Sequence, residues 1–419
     1  MKRYIRLKER LLSVKRIHTP PEEYRKLRPK LCFRDYYEET CEQGTIKTEL
    51  SILSENKIIF FGGSFVENLY ADSKSRITSV FEKELNQIGY DVQIINAGVS
   101  GATTLNLFNL FLNKFLIYKP KEIFFFIPTN DGYCLDLKGG LWNKMQSYSN
   151  LYNINFLSEW DTLNHQLKIE EICNIYTLLI DACRLFNIKL NICVSPVIKN
   201  ISDFYLVQED RQASLYKNRM KVINSVVEHC KNKNIQVIDL RDTFSNLKDM
   251  FVDDVHLNSL GSEKIGKYLI SKMREDKNFL RYLTKNDYYR YEIIHVKDNV
   301  MLDGEIYWSE YIFLDEKSKY NAILSFDIVC GEGVLAKNAL FCVDFGGNNY
   351  ALNECGLSLS PIVGNYQYLL TKELIDCNIH HAFTIPIGNT KIRIGFRLWD
   401  SDKQISLHNI NLYLRKENL

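Results

Sequence analysis

At 419 residues, with 46% apolar and 25% charged side chains, the chain has a globular composition and more length than one ordinary core fills, so two domains are expected. A formal net charge of +2 supplies no broad basic field for a nucleic-acid backbone and argues against that class of partner. Eleven cysteines are scattered without a C-x-x-C pair, which argues against close-spaced zinc and redox motifs.

The chain opens MKRYIRLKERLLSVKR, basic and broken by charge throughout, whereas a secretory signal needs an uninterrupted apolar run. With free thiols expected as well, the reading is a cytoplasmic protein. The basic start offers peripheral contact with an anionic membrane surface, although a solvated helix or frayed end is the plainer reading. Residues 1–50 are polar and punctuated by Pro20-Pro21 and Arg28-Pro29, the character of a lead-in segment.

A domain over 51–285 follows. Short apolar runs at 57–62, 92–98, 122–128, 190–196 and 236–240 read as strands covered on both faces. Helical patterns at 74–88, 103–117, 169–187 and 212–233 separate them. In the third, Ile172, Ile175, Tyr176, Leu179, Ile180, Cys183 and Phe186 share one face. The apolar stretch 107–118 carries Asn109, Asn113 and Lys114, so it reads as a buried helix and no membrane span is expected. Alternation of this kind predicts a parallel sheet in a three-layer α/β fold.

Over 290–419 the pattern changes to short alternating segments (322–330, 340–346, 381–387, 391–399, 405–414). Turn formers such as Gly331, Gly333, Gly346-Gly347-Asn348-Asn349 and Gly388-Asn389 part them. An antiparallel all-β sandwich is expected.

In an open α/β sheet the site lies beyond the carboxyl ends of the strands. The first strand ends in Gly62-Gly63-Ser64, the second in Asn96-Ala97-Gly98-Val99-Ser100-Gly101, the third in Pro128-Thr129-Asn130-Asp131. After the fifth comes Asp253-Asp254-Val255-His256-Leu257-Asn258, then Gly261. Each corner alone is ordinary turn chemistry. Together they hold a serine, a histidine able to activate it, and Asp253 or Asp254 to orient the imidazole. The backbone N–H groups of Ser64 and Gly101 and the Asn130 amide are candidate donors to an oxyanion. Gly63, Gly98 and Asp131 are candidate pocket residues. Asp253, Asp254 and His256 lack the second cluster that a metal shell needs. His380-His381 reads as a loop or strand pair, and Trp142, Trp160, Trp308 and Trp399 as packing residues with sugar stacking as the alternative.

The four blocks, in this order over residues 57–272, resemble the SGNH, or GDSL, hydrolase superfamily. The resemblance implies a flavodoxin-like α/β/α domain with Ser64 as nucleophile, Gly101 and Asn130 in the oxyanion hole, and Asp253 and His256 completing the triad. Two departures stand out: Gly63 replaces the Asp of G-D-S, and Pro128 the Gly of G-x-N-D. The β-sandwich resembles carbohydrate-binding modules in architecture alone. The expected activity is removal of acyl, chiefly acetyl, groups from a carbohydrate, without a cofactor. The alternatives are a polysaccharide O-acetyltransferase, with an acyl donor such as acetyl-CoA, and an inactive carbohydrate-binding protein.

Overall fold

A computed structural model describes residues 7–26, 28, 31–148, 164–199, 209–275, 291–330, 338–369, 377–399 and 405–417. Trp160, the connection 276–290 and the first six residues of the basic start lie outside the described residues.

The segment read as a lead-in has structure of its own. Strand β1 (Lys15–His18) pairs antiparallel with β2 (Tyr36–Glu39), and the short helix α1 (Glu22–Lys26) lies between them in sequence. Ile46 then forms a bridge with Asn96, which ties the segment to the main sheet.

That sheet contains β3 (Lys57–Gly62), β4 (Gln93–Gly98), β5 (Glu122–Phe126), β6 (Lys189–Val194) and β7 (Gln236–Asp239). All pairings are parallel and the order is β4-β3-β5-β6-β7. Between and after the strands lie α2 (Ser64–Glu67), α3 (Ile77–Gln87), α4 (Thr104–Leu110), α5 (Asp131–Asp136), α6 (His165–Leu185), α7 (Glu209–Asn232), α8 (Arg241–Phe244) and α9 (Ser259–Glu275).

Successive strand residues point to opposite faces, and both faces are apolar. Ile58, Phe60 and Phe124 pack with Phe81 of α3 and Leu269 of α9 on one side. Ile59, Phe61 and Phe125 pack with Tyr176 of α6, Val226 of α7 and Leu107 of α4 on the other. Phe60 and Phe124 stack at 4.6 Å, and each fully buried side chain of this size contributes about 2–3 kcal/mol. The three-layer α/β arrangement follows from this two-sided patterning.

The expected helix over 103–117 is α-helical only to Leu110, then widens through Phe111–Phe115 and tightens at Leu116–Tyr118. Phe186, placed on the core face of its helix by periodicity, instead follows the last turn of α6 and is 58% exposed. Among the described residues no helix is long and apolar enough to cross a membrane.

The C-terminal region is antiparallel throughout. One sheet orders β15 (Cys377–Ile385), β11 (Lys319–Cys330), β17 (Ile405–Glu417) and β8 (Glu292–Leu302). The other orders β10 (Ile312–Phe313), β16 (Lys391–Leu398), β12 (Ala339–Asp344), β14 (Gly364–Tyr368) and β13 (Ser358–Ser360), with β9 (Tyr307–Trp308) also on β16. Leu324, Phe326 and Leu412 meet Phe341, Ile394 and Phe396 in one shared core, the packing of a β-sandwich.

The sandwich rests on the segment before β3 and on the turn Ser73–Ser75 that leads into α3. Leu50, Ile52, Tyr291, Ile323 and Tyr413 form a small apolar cluster. Around it the Tyr413 hydroxyl donates to Glu49 at 3.1 Å, and Lys74 pairs with Asp327 at 2.7 Å. His380 and His381 lie on β15 and are both buried, which pushes both imidazoles toward the neutral form. Trp142 packs against the α/β core, Trp308 lies over Gly395, and Trp399 is 42% exposed.

Candidate active site

The strand order reverses on either side of β3, so the loops after β3, β4 and β5 converge at one edge. Ser64 stands at the first position of α2, directly after Gly63, whose φ of −78° and ψ of −151° turn the chain from strand into helix. A Cβ at Gly98 would overlap the Glu67 backbone nitrogen, so the end of β4 can approach α2 this closely only as glycine. Asn96 locks the same junction, donating to the Val66 carbonyl at 3.1 Å and accepting from Gly98 N at 3.0 Å.

The fourth corner follows α8. Asn258 caps α9 by accepting from Gly261 N at 2.9 Å and donates to the Asp249 carbonyl at 2.7 Å. This pins the loop that carries Asp253 and His256. Asp253 is fully buried, and its Oδ1 accepts from Val255 N at 3.0 Å and His256 N at 2.7 Å. Its Oδ2 lies 2.7 Å from His256 Nδ1, and His256 Nε2 lies 2.7 Å from Ser64 Oγ. Three side chains from corners 192 residues apart therefore form one continuous hydrogen-bonded line.

Burial by itself disfavours the charged forms of both Asp253 and His256. Their mutual attraction outweighs it: facing His256 and Arg28, the Asp253 carboxyl is held well below its ordinary range, and Asp253 raises the imidazole above its ordinary value. Asp254 turns away from His256 and pairs with the buried Arg219 of α7.

Asn130 precedes α5, and its side-chain amide donates to the Ala102 carbonyl at 3.0 Å. A Cβ on Gly63 would sit 3.4 Å from that amide nitrogen, so Gly63 and Asn130 face each other across the mouth of the site. Gly101 has φ +70°, and a side chain there would meet the Ser147 carbonyl and the Lys8 ammonium. Asp131 and Gly98 do not line an open pocket. Asp131 is fully buried, taking Thr104 N at 2.9 Å and Thr104 Oγ1 at 2.5 Å, and burial pushes its carboxyl up to about 7. Gly98 is consumed by the contact with α2.

Four neighbours were not picked out in the sequence. Arg28 Nε donates to Asp253 Oδ2 at 2.9 Å from 225 residues away. Arg10 pairs with the buried Glu67, which also accepts from Ser100 Oγ, and Lys8 donates to the Ser147 carbonyl. Among them Glu67 has a local hint, being a carboxylate on α2 three residues after Ser64. Among the described residues no three His, Cys, Asp or Glu side chains gather as a metal-binding group.

Residues 60–264 match the GDSL-like Lipase/Acylhydrolase family. No curated protein matches the chain. Among solved structures, the acetyl xylan esterase AlAXEase is 18% identical over 52% of this chain and 98% of its own, with a TM-score of 0.36. A lipase/acylhydrolase from Enterococcus faecalis is 18% identical over 55% of this chain and 98% of its own, with a TM-score of 0.38. A catalytic mutant of Axe2, an acetylxylan esterase from Geobacillus stearothermophilus, is 14% identical over 53% and 95%, with a TM-score of 0.37.

Proposed function

We propose, from the premise that residues 60–264 form a GDSL-like hydrolase domain acting on ester bonds, that this chain is a serine esterase releasing acetyl groups from a carbohydrate through an acyl-enzyme. The observation that carries it is the unbroken line Ser64 Oγ–His256 Nε2 and His256 Nδ1–Asp253 Oδ2, both at 2.7 Å.

Ser64 Oγ attacks the ester carbonyl while His256 Nε2 takes its proton, and the carbonyl electron pair moves onto oxygen. Asp253 holds the imidazole by Nδ1 and stabilises the imidazolium. The N–H groups of Ser64 and Gly101 and the Asn130 amide receive the oxyanion, each worth about 3 kcal/mol at the transition state. Collapse expels the sugar oxygen, which takes the proton from His256. Water then repeats the sequence on the acyl-enzyme, releasing acetate and restoring Ser64.

Support for a sugar rather than a lipid comes from the second domain. Trp308 on β9, Tyr311 beyond it, and Tyr366 and Tyr368 on β14 line its second sheet, with the Arg393 guanidinium 4.5 Å from Trp308 and 4.8 Å from Tyr311. Trp and Tyr rings combine an apolar face with a polar tip, the two kinds of surface that a sugar ring also presents.

The test is hydrolysis of p-nitrophenyl acetate and of acetylated oligosaccharides by the wild type and Ser64→Ala. Acetate release from sugars that vanishes in Ser64→Ala supports the reading. Turnover that survives the substitution refutes the nucleophile, and acetyl transfer to added sugar in place of acetate release replaces the esterase with a transferase.

A further inference from the structure

We propose that Arg28 is a positioning residue of this active site, fixing the Asp253 carboxylate and tuning the basicity of His256 from a segment outside the hydrolase domain. The proposal rests on the triad reading above and deepens it.

Asp253 Oδ2 accepts two hydrogen bonds, from His256 Nδ1 at 2.7 Å and from Arg28 Nε at 2.9 Å. With Oδ1 filled by two backbone N–H groups, the carboxylate has four donors and no exposed surface. Such a group cannot rotate away from the imidazole. Arg28 is itself held, its guanidinium lying 3.5 Å from the Tyr24 ring centroid. Tyr24 packs on Tyr70 at 5.5 Å, Tyr70 meets Tyr36 edge-on at 5.6 Å, and Tyr36 clusters with Leu31 and Val252, the residue before Asp253. One aromatic seat therefore joins the N-terminal segment to the histidine loop.

The electrical consequence has a definite sign. Asp253 and Asp254 on its own loop raise His256, while the Arg28 cation lowers it. From α7, Arg219 offsets Asp254, and Tyr24 and Tyr70 around Arg28 are held protonated by burial. Arg28 shares the negative charge that would otherwise serve the imidazolium alone, so more of the base is neutral near pH 7. A cation 225 residues from the carboxylate it serves also makes the fold of the first segment a condition of activity.

The experiment is the pH dependence of Ser64 phosphonylation by a fluorophosphonate in the full chain. Serine oxygen forms the P–O bond, fluoride leaves, and His256 accepts the proton, so the acid limb reads the base without knowledge of the substrate. Wild type, Ser64→Ala, Arg28→Gln and Arg28→Lys are compared. Arg28→Gln is expected to move the acid limb upward by roughly half a pH unit and slow labelling on that limb about threefold, and Arg28→Lys to restore part of the shift. An unmoved midpoint in a folded Arg28→Gln overturns the proposal. Should Arg28→Gln fail to fold, Tyr24→Leu, which loosens the guanidinium's seat, carries the test, and its unmoved midpoint overturns the proposal equally. Labelling that persists in Ser64→Ala, or is absent from the wild type, sinks the triad reading instead.

Discussion

The Asn130 side chain donates to the Ala102 carbonyl at 3.0 Å, bridging the loops that follow β5 and β4. That bond orients the amide before substrate arrives, which is the condition for an oxyanion donor to act without reorganisation. Asn130→Ala is expected to lower kcat on p-nitrophenyl acetate about 100-fold to 1,000-fold, with a far smaller change in KM. Steady-state kinetics decide it, and a loss confined to KM would remove Asn130 from the oxyanion hole.

Asp253 and Asp254 are neighbours with opposite fates, so their substitutions should separate activity from stability. Asp253→Asn leaves His256 in the wrong tautomer, with an expected fall in kcat of about 10⁴. Asp254→Ala strips the partner from Arg219, which is only 4% exposed, and should cost on the order of 3–5 kcal/mol. Denaturant melts paired with assays of the folded fraction test the contrast. Equal activity losses in both variants would contradict it.

The five parallel strands were legible because uninterrupted Ile, Val and Phe runs have one reading when helical periods separate them. The short strands β9, β10 and β13, of two or three residues, carry too little alternation to be read, although they complete the second sheet. Ser64, Asn130, Asp253 and His256 stood out because each lies within a few residues of a strand end or helix cap. Arg28 and Arg10 did not. Their partners are set by tertiary approach of a segment whose Pro-broken sequence has no period. Asp131 misled for the converse reason: a carboxylate beside a site residue reads as exposed chemistry, whereas here it ties Thr104 of α4 to α5.

Two glycines near the serine should respond differently to alanine. At Gly98 a methyl group would overlap backbone of Glu67, which cannot move without displacing Ser64, so Gly98→Ala should cost about 1–3 kcal/mol or more and depress turnover. At Gly63 φ is −78° and a Cβ makes only ordinary contacts, so stability should change by less than about 0.5 kcal/mol. Extending it as Gly63→Asp places a carboxylate against the Asn130 amide, and kcat/KM for acetyl esters should fall. Thermal melts and kcat/KM across the three variants check both claims, and a stable, active Gly98→Ala would refute the close-approach argument.

Burial raises Asp131 to about 7, with the Thr104 hydrogen bonds only partly opposing it. Because the folded-state value exceeds the unfolded value of about 3.9, the native state binds the proton more tightly. Its contribution to stability is complete below about pH 4 and is lost as pH rises through 7, on the order of 4 kcal/mol in all. Asp131→Asn removes this titration while keeping the geometry. The asparagine oxygen still accepts from Thr104 N, its NH₂ donates to Thr104 Oγ1, and that hydroxyl turns its proton to the Tyr176 oxygen 3.3 Å away. Urea unfolding at pH 4.5 and pH 8 should therefore show a smaller decline for the variant than for the wild type. Parallel declines would mean that the Asp131 carboxyl titrates in the folded protein near its ordinary value.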